Sequence, residues 1–320
     1  MREFKCIELL SALAVITTFA GASFAAPVTI TDGLGDADRN NDGATDGSAF
    51  TDAGDTGIKW LAMEVKNDLT PNPDFSIVDD SAGIGSGNAV FIEQTGSNAE
   101  VYAPLGQAVS LALGETLTMS FDIRYDTNSA ALTGATQLRF GLWDADEANF
   151  HTAGPTEFGA AEGDFDASQP GAIADTGFQV RVNVGTSTGA PSIAEEFNLN
   201  SILGGSGDAD SIVPTSAGGT LPAITDDLKH TITMIVSRTI EGGEEGTRIS
   251  VFVDGVGNLS GFEPISDGSV TSTFEWDYLA LNNTRDAEYS IDNFSLVITP
   301  EPASLALMGL GLLAGLRRRK

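Results

Sequence analysis

In residues 116–125 every second side chain is apolar: Leu117, Met119, Phe121, Ile123 and Tyr125 alternate with Thr118, Ser120, Asp122 and Arg124. A period of two puts the first set on one side of a strand and the second on the other, so one face is buried and one is wet. The same alternation marks residues 137–143, 178–184, 230–238, 248–253 and 288–298, with shorter runs at 89–94 and 100–103. Gly-rich breakers separate them, and Glu241-Gly242-Gly243-Glu244-Glu245-Gly246 joins two runs as a hairpin. No amphipathic helix of useful length appears. Many half-buried strands with turn chemistry between them predict an all-β chain, a two-sheet antiparallel β-sandwich or jelly roll. One domain, residues 27–298, suffices for this length. Two strand-poor insertions, 144–176 and 185–227, read as surface loops, the places where binding elements or disordered segments sit.

The two ends carry different information. Arg2 and Lys5 precede an apolar run from Ile7 to Phe19, and Ala22-Ser23-Phe24-Ala25-Ala26 supplies small residues for cleavage. Residues 1–26 therefore read as a secretory signal peptide. The single cysteine, Cys6, lies inside this leader, so the exported protein would fold without disulfides. At the other end Pro300-Glu301-Pro302 leads into an apolar stretch, 305–316, closed by Arg317, Arg318, Arg319 and Lys320. Roughly a dozen apolar residues fall short of the ~20 that span a bilayer, while the terminal cations act as a positive-inside stop. The prolines keep the junction extended and accessible to a processing enzyme.

In its three-part order, residues 299–320 resemble the PEP-CTERM sorting signal of Gram-negative exopolysaccharide-producing bacteria. The resemblance implies an exosortase-type sorting enzyme as partner, a short C-terminal helix transiently in the inner membrane, and a destination at the cell envelope, the outer surface or outside the cell. It implies no activity. A second resemblance rests on the strand from His230 to Arg238, the Gly-rich turn, the strand Arg248 to Val253 with Asp254-Gly255, and the closing run Tyr289 to Leu296. These look like the paired and final strands of concanavalin A-like/laminin G-like jelly rolls, and imply a fold only. An immunoglobulin-like sandwich and other carbohydrate-binding jelly rolls are the alternatives.

The formal charge is −29, with 45 acidic against 16 basic residues. Such a surface repels nucleic acid, anionic headgroups and acidic polysaccharides, and its natural counter-charge is a divalent cation. One stretch has metal-ligand spacing: Asp38, Asn40 and Asp42 at the first, third and fifth positions, Gly43 at the sixth and Asp46 at the ninth. Oxygens in that pattern suit Ca²⁺. The stretch resembles an EF-hand or dockerin-type loop, departing where Ala49 replaces the bidentate glutamate, and a solvated Asx/Gly linker reads the same residues equally.

Catalytic groups are sparse. Glu275-Trp276-Asp277 places two carboxylates at i, i+2, superficially like a glucanase Glu-X-Asp-X-X-Glu, but Ala280 occupies the third place. An exposed acidic face with Phe274, Trp276 and Tyr278 packed inward explains the segment as well. His151 and His230 are the only histidines; neither sits in a zinc or triad motif, and His230 reads as structural. Sugar binding needs an aromatic plate beside hydrogen-bonding side chains, and Trp143 with Asp144, Asp146 and Asn149 at the mouth of the first insertion is the best such group. The sequence thus points to an exported, non-catalytic structural or adhesive protein of an exopolysaccharide matrix. A Ca²⁺-assisted, lectin-like polysaccharide-binding module is the alternative, and a glycoside hydrolase the least favoured.

Overall fold

In the computed structural model the alternating runs are strands, and they pair as two antiparallel sheets. The structure describes residues 28–32, 61–64, 74–79, 84, 88–94, 99–144, 176–196, 219–265 and 274–299. The signal peptide, the Asp38–Asp46 stretch, Asp146, Asn149, His151 and the sorting tail lie outside them. In chain order the strands are β1 (Thr29–Asp32), β2 (Leu61–Glu64), β3 (Asp74–Asp79), β4 (Asn88–Gln94), β5 (Ala99–Ser110), β6 (Thr116–Tyr125), β7 (Ala135–Asp144), β8 (Thr176–Gly185), β9 (Ser192–Glu196), β10 (His230–Glu241), β11 (Glu244–Val253), β12 (Val256–Pro264), β13 (Glu275–Asn283) and β14 (Ala287–Thr299). A single helical turn, α1 (Ala130–Thr133), precedes β7. The larger sheet runs β12-β11-β10-β6-β14-β4-β3, with β1 added to β14, and the smaller runs β2-β5-β13-β7-β8-β9. All belong to one compact unit, Thr29–Thr299.

The inward residues of β6 (Leu117, Met119, Phe121, Ile123, Tyr125) meet those of β7 (Leu138, Phe140, Leu142) and β8 (Phe178, Val180, Val182, Val184), all buried. Phe121 and Phe140 cross edge-to-face, centroids 5.5 Å apart. Core side chains of this size contribute roughly 1.5–3 kcal/mol each on burial. A polar bridge crosses the same core: the Tyr125 hydroxyl donates to Asn283 Oδ1 at 2.7 Å, and Gln94 Nε2 donates to the Asn283 carbonyl at 2.6 Å. It ties β6 and β4 to β13.

Four features depart from expectation. The second insertion holds a strand, β9, and beyond it a strap: Asn258 N–H donates to the Thr220 carbonyl, while Ile224 pairs with Val184. The strap thus runs from the edge of the larger sheet to β8. β12 was hidden by two glycines and a proline; a tight turn at Asp254-Gly255, both with positive φ, folds it back on β11. β5 is much longer than residues 100–103, because Gly106 (φ 73°) and a register shift against β13 accommodate the break at Pro104.

The fourth is β13, which does not present an exposed acidic face with three aromatics inward. It lies between β5 and β7, and Asp277 is only 5 % exposed. The register shift between Trp276 and Tyr278 interrupts the alternation, so the three aromatics do not share one inward face. β14 meanwhile changes partner along its length, pairing with β4 through Ile291 and with β1 from Phe294 onward. Asn293, between these two, has positive φ.

Candidate functional site

The outward face of the smaller sheet carries the best-formed polar and aromatic group. Register across β13, β7 and β8 stacks Tyr278, Trp143 and Gly177 in one row, Ala280, Gly141 and Gln179 in the next, and Asn282, Arg139 and Arg181 in a third. Strand pleating makes these outward, because the intervening Leu279, Leu142 and Phe178 fill the core. Gly177 explains how the indole is seated. A Cβ there would stand 2.8 Å from Trp143 Cδ2 and 2.3 Å from the Leu142 carbonyl, so the absent side chain makes room for the ring.

Below this row the polar groups are tied together. Arg181 Nε donates to Gln179 Oε1, Gln137 Nε2 donates to Asn183 Oδ1 at 3.2 Å, and Asn183 Nδ2 donates to the Gly189 carbonyl at 2.6 Å. Arg139 and Arg181 are direct cross-strand partners, a concentration of positive charge on a strongly acidic chain. Trp143, Tyr278, Gln179 and Asn282 are fully buried, and Gln137, Arg139 and Arg181 are the members of this group that reach solvent in part.

The structure brings Trp143 and Asp144 together at the end of β7. Trp143 is fully buried and Asp144 half-buried, so no face of the indole is open to solvent. The Trp143 Nε1 hydrogen has no acceptor among the described residues, an uncommon condition for a buried indole. Gln179 and Asn282 were not singled out in the sequence, and Tyr278 was read as packed inward; the register that places the three near Trp143 becomes visible only once β13 is recognised as a strand. Glu275 is exposed at the start of β13 while Asp277 is buried, so the two carboxylates lie in unlike environments.

The larger sheet holds a second polar cluster, and its contacts are structural. Asp122 accepts from Thr231 Oγ1 at 2.6 Å, Asn293 Nδ2 at 3.0 Å and Lys229 Nζ at 3.1 Å. His230 lies between Asp254 (2.8 Å from Nδ1) and Asp226 (3.0 Å from Nε2), which ties the β11–β12 turn to the segment before β10. Among the described residues no three His, Cys, Asp or Glu side chains gather as a metal site, and no helix is long and apolar enough to cross a membrane.

The fold is an all-β sandwich of two antiparallel sheets, the last described strand ending at Thr299. Residues 299–320 match the PEP-CTERM protein-sorting motif. That motif implies recognition by an exosortase and export to the cell envelope. No curated protein sequence matches the chain. Among solved structures it is similar to a Bacillus subtilis protein with a galectin-like fold (10 % identity, 74 % of this chain and 88 % of that one, TM-score 0.41). It is likewise similar to peanut lectin (9 %, 76 % and 97 %, 0.38) and to the globular domain of T. cruzi calreticulin (9 %, 81 % and 90 %, 0.42).

Proposed function

We propose that this chain is a non-catalytic structural or adhesive protein of the cell envelope and its exopolysaccharide matrix. Its tail is held transiently in the inner membrane and then passed to the sorting enzyme. The observation that carries the reading is where the sandwich stops. β14, paired on both sides, ends at Thr299, and the sorting motif begins at that residue. Every described strand precedes Pro300, so trimming within the motif removes none of them. The non-catalytic part draws support from β13, where burial separates Asp277 from exposed Glu275 and Ala280 stands where a third carboxylate would be needed. Intact-mass measurement of the protein recovered from its native envelope tests the reading. Loss of residues 1–26 and of the mass beyond the Pro300-Glu301-Pro302 step is expected; an untrimmed chain in the cytosol would overturn it.

A second reading, a Ca²⁺-assisted polysaccharide-binding module, is favoured by one observation: the Trp143 N–H, without an acceptor among the described residues, beside Tyr278, Gln179, Asn282 and the two arginines. Asp144, Asp146 and Asn149 would supply hydrogen bonds at that end, and Asp38, Asn40, Asp42 and Asp46 the Ca²⁺ oxygens. Binding to an array of acidic glycans that disappears with chelator would favour it. Binding indifferent to chelator would remove the metal from the account.

A further inference from the structure

The two ends of the sandwich differ in a way that bears on the anchored stage. Thr299 and Ser237 both pair with Thr116, so the last residue of β14 is level with that point of β10. β10 continues four residues further to Glu241 before turning back at Gly242-Gly243, a projection of about 13 Å at ~3.3 Å per residue. The β10–β11 hairpin therefore points the way the chain leaves. Three large apolar side chains are exposed at this end. Ile240 is on the hairpin (56 % exposed) and Leu113 is in the β5–β6 turn, bonded to β10 through Gly114 N–H and the Arg238 carbonyl (49 %). Ile265 directly follows Pro264, whose partner is Gly246 (36 %).

Two of the carboxylates here are paired, while Glu244 and Glu275 are exposed at the same end. Glu245 is bridged by Arg238 at 2.7 Å and Glu241 by Arg248, and the Arg238 guanidinium also lies 4.0 Å from the Phe274 ring centre. Glu115 accepts from the Ala112 N–H. The opposite end carries Asp126, Asp226, Asp227 and Asp254 around two other exposed apolar residues, Leu228 (64 %) and Val256 (61 %).

We infer that the Leu113–Ile240–Ile265 end is a membrane-facing surface that rests on the phospholipid interface while the tail is still inserted. The length of chain beyond the sandwich fixes the occupant. Five residues, 300–304, separate Thr299 from the apolar stretch 305–316, a reach of at most about 17 Å. A body tethered that closely must set one end against the headgroups, and the end from which the tether emerges carries three exposed apolar side chains. Isoleucine and leucine side chains seat at the headgroup boundary through their apolar area.

The inference rests on the anchored stage proposed above, and one experiment separates the two. The full chain, with Cys6→Ser removing its only cysteine, takes a single environment-sensitive fluorophore through Ile240→Cys, Leu113→Cys, Leu228→Cys or Val256→Cys, and is reconstituted with phosphatidylcholine vesicles. Flotation reports the anchoring, and quenching by a lipid-borne quencher reports the contact. Expected are co-flotation of all four and a blue shift with loss of emission for labels at 240 and 113 only. Failure to float overturns the anchoring and this inference with it. Flotation with the label at 240 as unquenched as that at 228 overturns this inference alone, as does shielding that appears only when the sorting enzyme is added, which would assign the surface to a protein partner.

Discussion

Replacing Tyr125 by Phe isolates one bond of the bridge that joins the two sheets. The hydroxyl is fully buried and donates to Asn283 Oδ1 at 2.7 Å. Its loss leaves that oxygen desolvated without this donor, at a cost of about 1–3 kcal/mol. With a central value of ~2 kcal/mol and ~2–4 °C per kcal/mol for a domain of this size, Tm should fall by about 4–8 °C near neutral pH. Alkaline pH gives a second, independent signature. Burial, then the neighbouring Tyr289, raise the Tyr125 phenol well above its ordinary value. A folded-state pKa above the unfolded one means this stability is complete below about pH 10 and drains away as the unfolded phenol ionises, by ~1.4 kcal/mol per pH unit. Tyr125→Phe lacks that group. The gap between variant and parent should therefore close within about 1–2 units above pH 10. Urea unfolding followed by tryptophan fluorescence at pH 7, 10 and 11 reads both effects. A gap that stays constant through the alkaline range would refute the burial argument, and no gap at pH 7 would refute the bridge.

Gly177→Ala places a methyl against the Trp143 ring and the Leu142 carbonyl, and should cost ~1–3 kcal/mol and shift tryptophan emission; unchanged melting and spectra would mean the indole is seated elsewhere. Arg248→Gln should lower stability by only about 0.2–1 kcal/mol, since the pair is about a third exposed and screened by solvent. Its bond from Arg248, and secondarily their attraction, hold the Glu241 carboxyl below its ordinary value despite some desolvation. The contribution is therefore present above the usual carboxylate range and lost as pH falls through the lowered value; equal acid profiles for both chains would contradict this. His230→Ala should free the β11–β12 turn from the segment before β10, read as faster amide exchange at Thr231, whose N–H donates to Asp254. Unaltered exchange would show that the imidazole holds neither.

How much of this was legible depended on whether a strand has one wet side. β6 and β10 each expose one face, so their alternation survived in the sequence and their extents were readable. β13 is buried along both faces and its register slips after Trp276, so apolar and polar residues run together without a period. That one strand concealed most of the candidate site. Trp143 stood out by itself, but its neighbours Tyr278 and Asn282 reach it through cross-strand register, which composition does not encode. β12 was hidden for a different reason, since Gly257, Gly261 and Pro264 lower strand propensity and only pairing with β11 overrides them. The sorting tail was legible in full because its meaning lies in residue order rather than in packing.

The partner change along β14 and its abrupt end at Thr299 make the length of the leash depend on folding. An unseated β14 would add thirteen residues, about 43 Å of slack, between the rest of the body and the motif. Docking that strand between β6 on one side and β4 and β1 on the other draws all of it in. Because this central strand is also the last of the described strands in chain order, a chain on a short leash is one whose larger sheet has already closed.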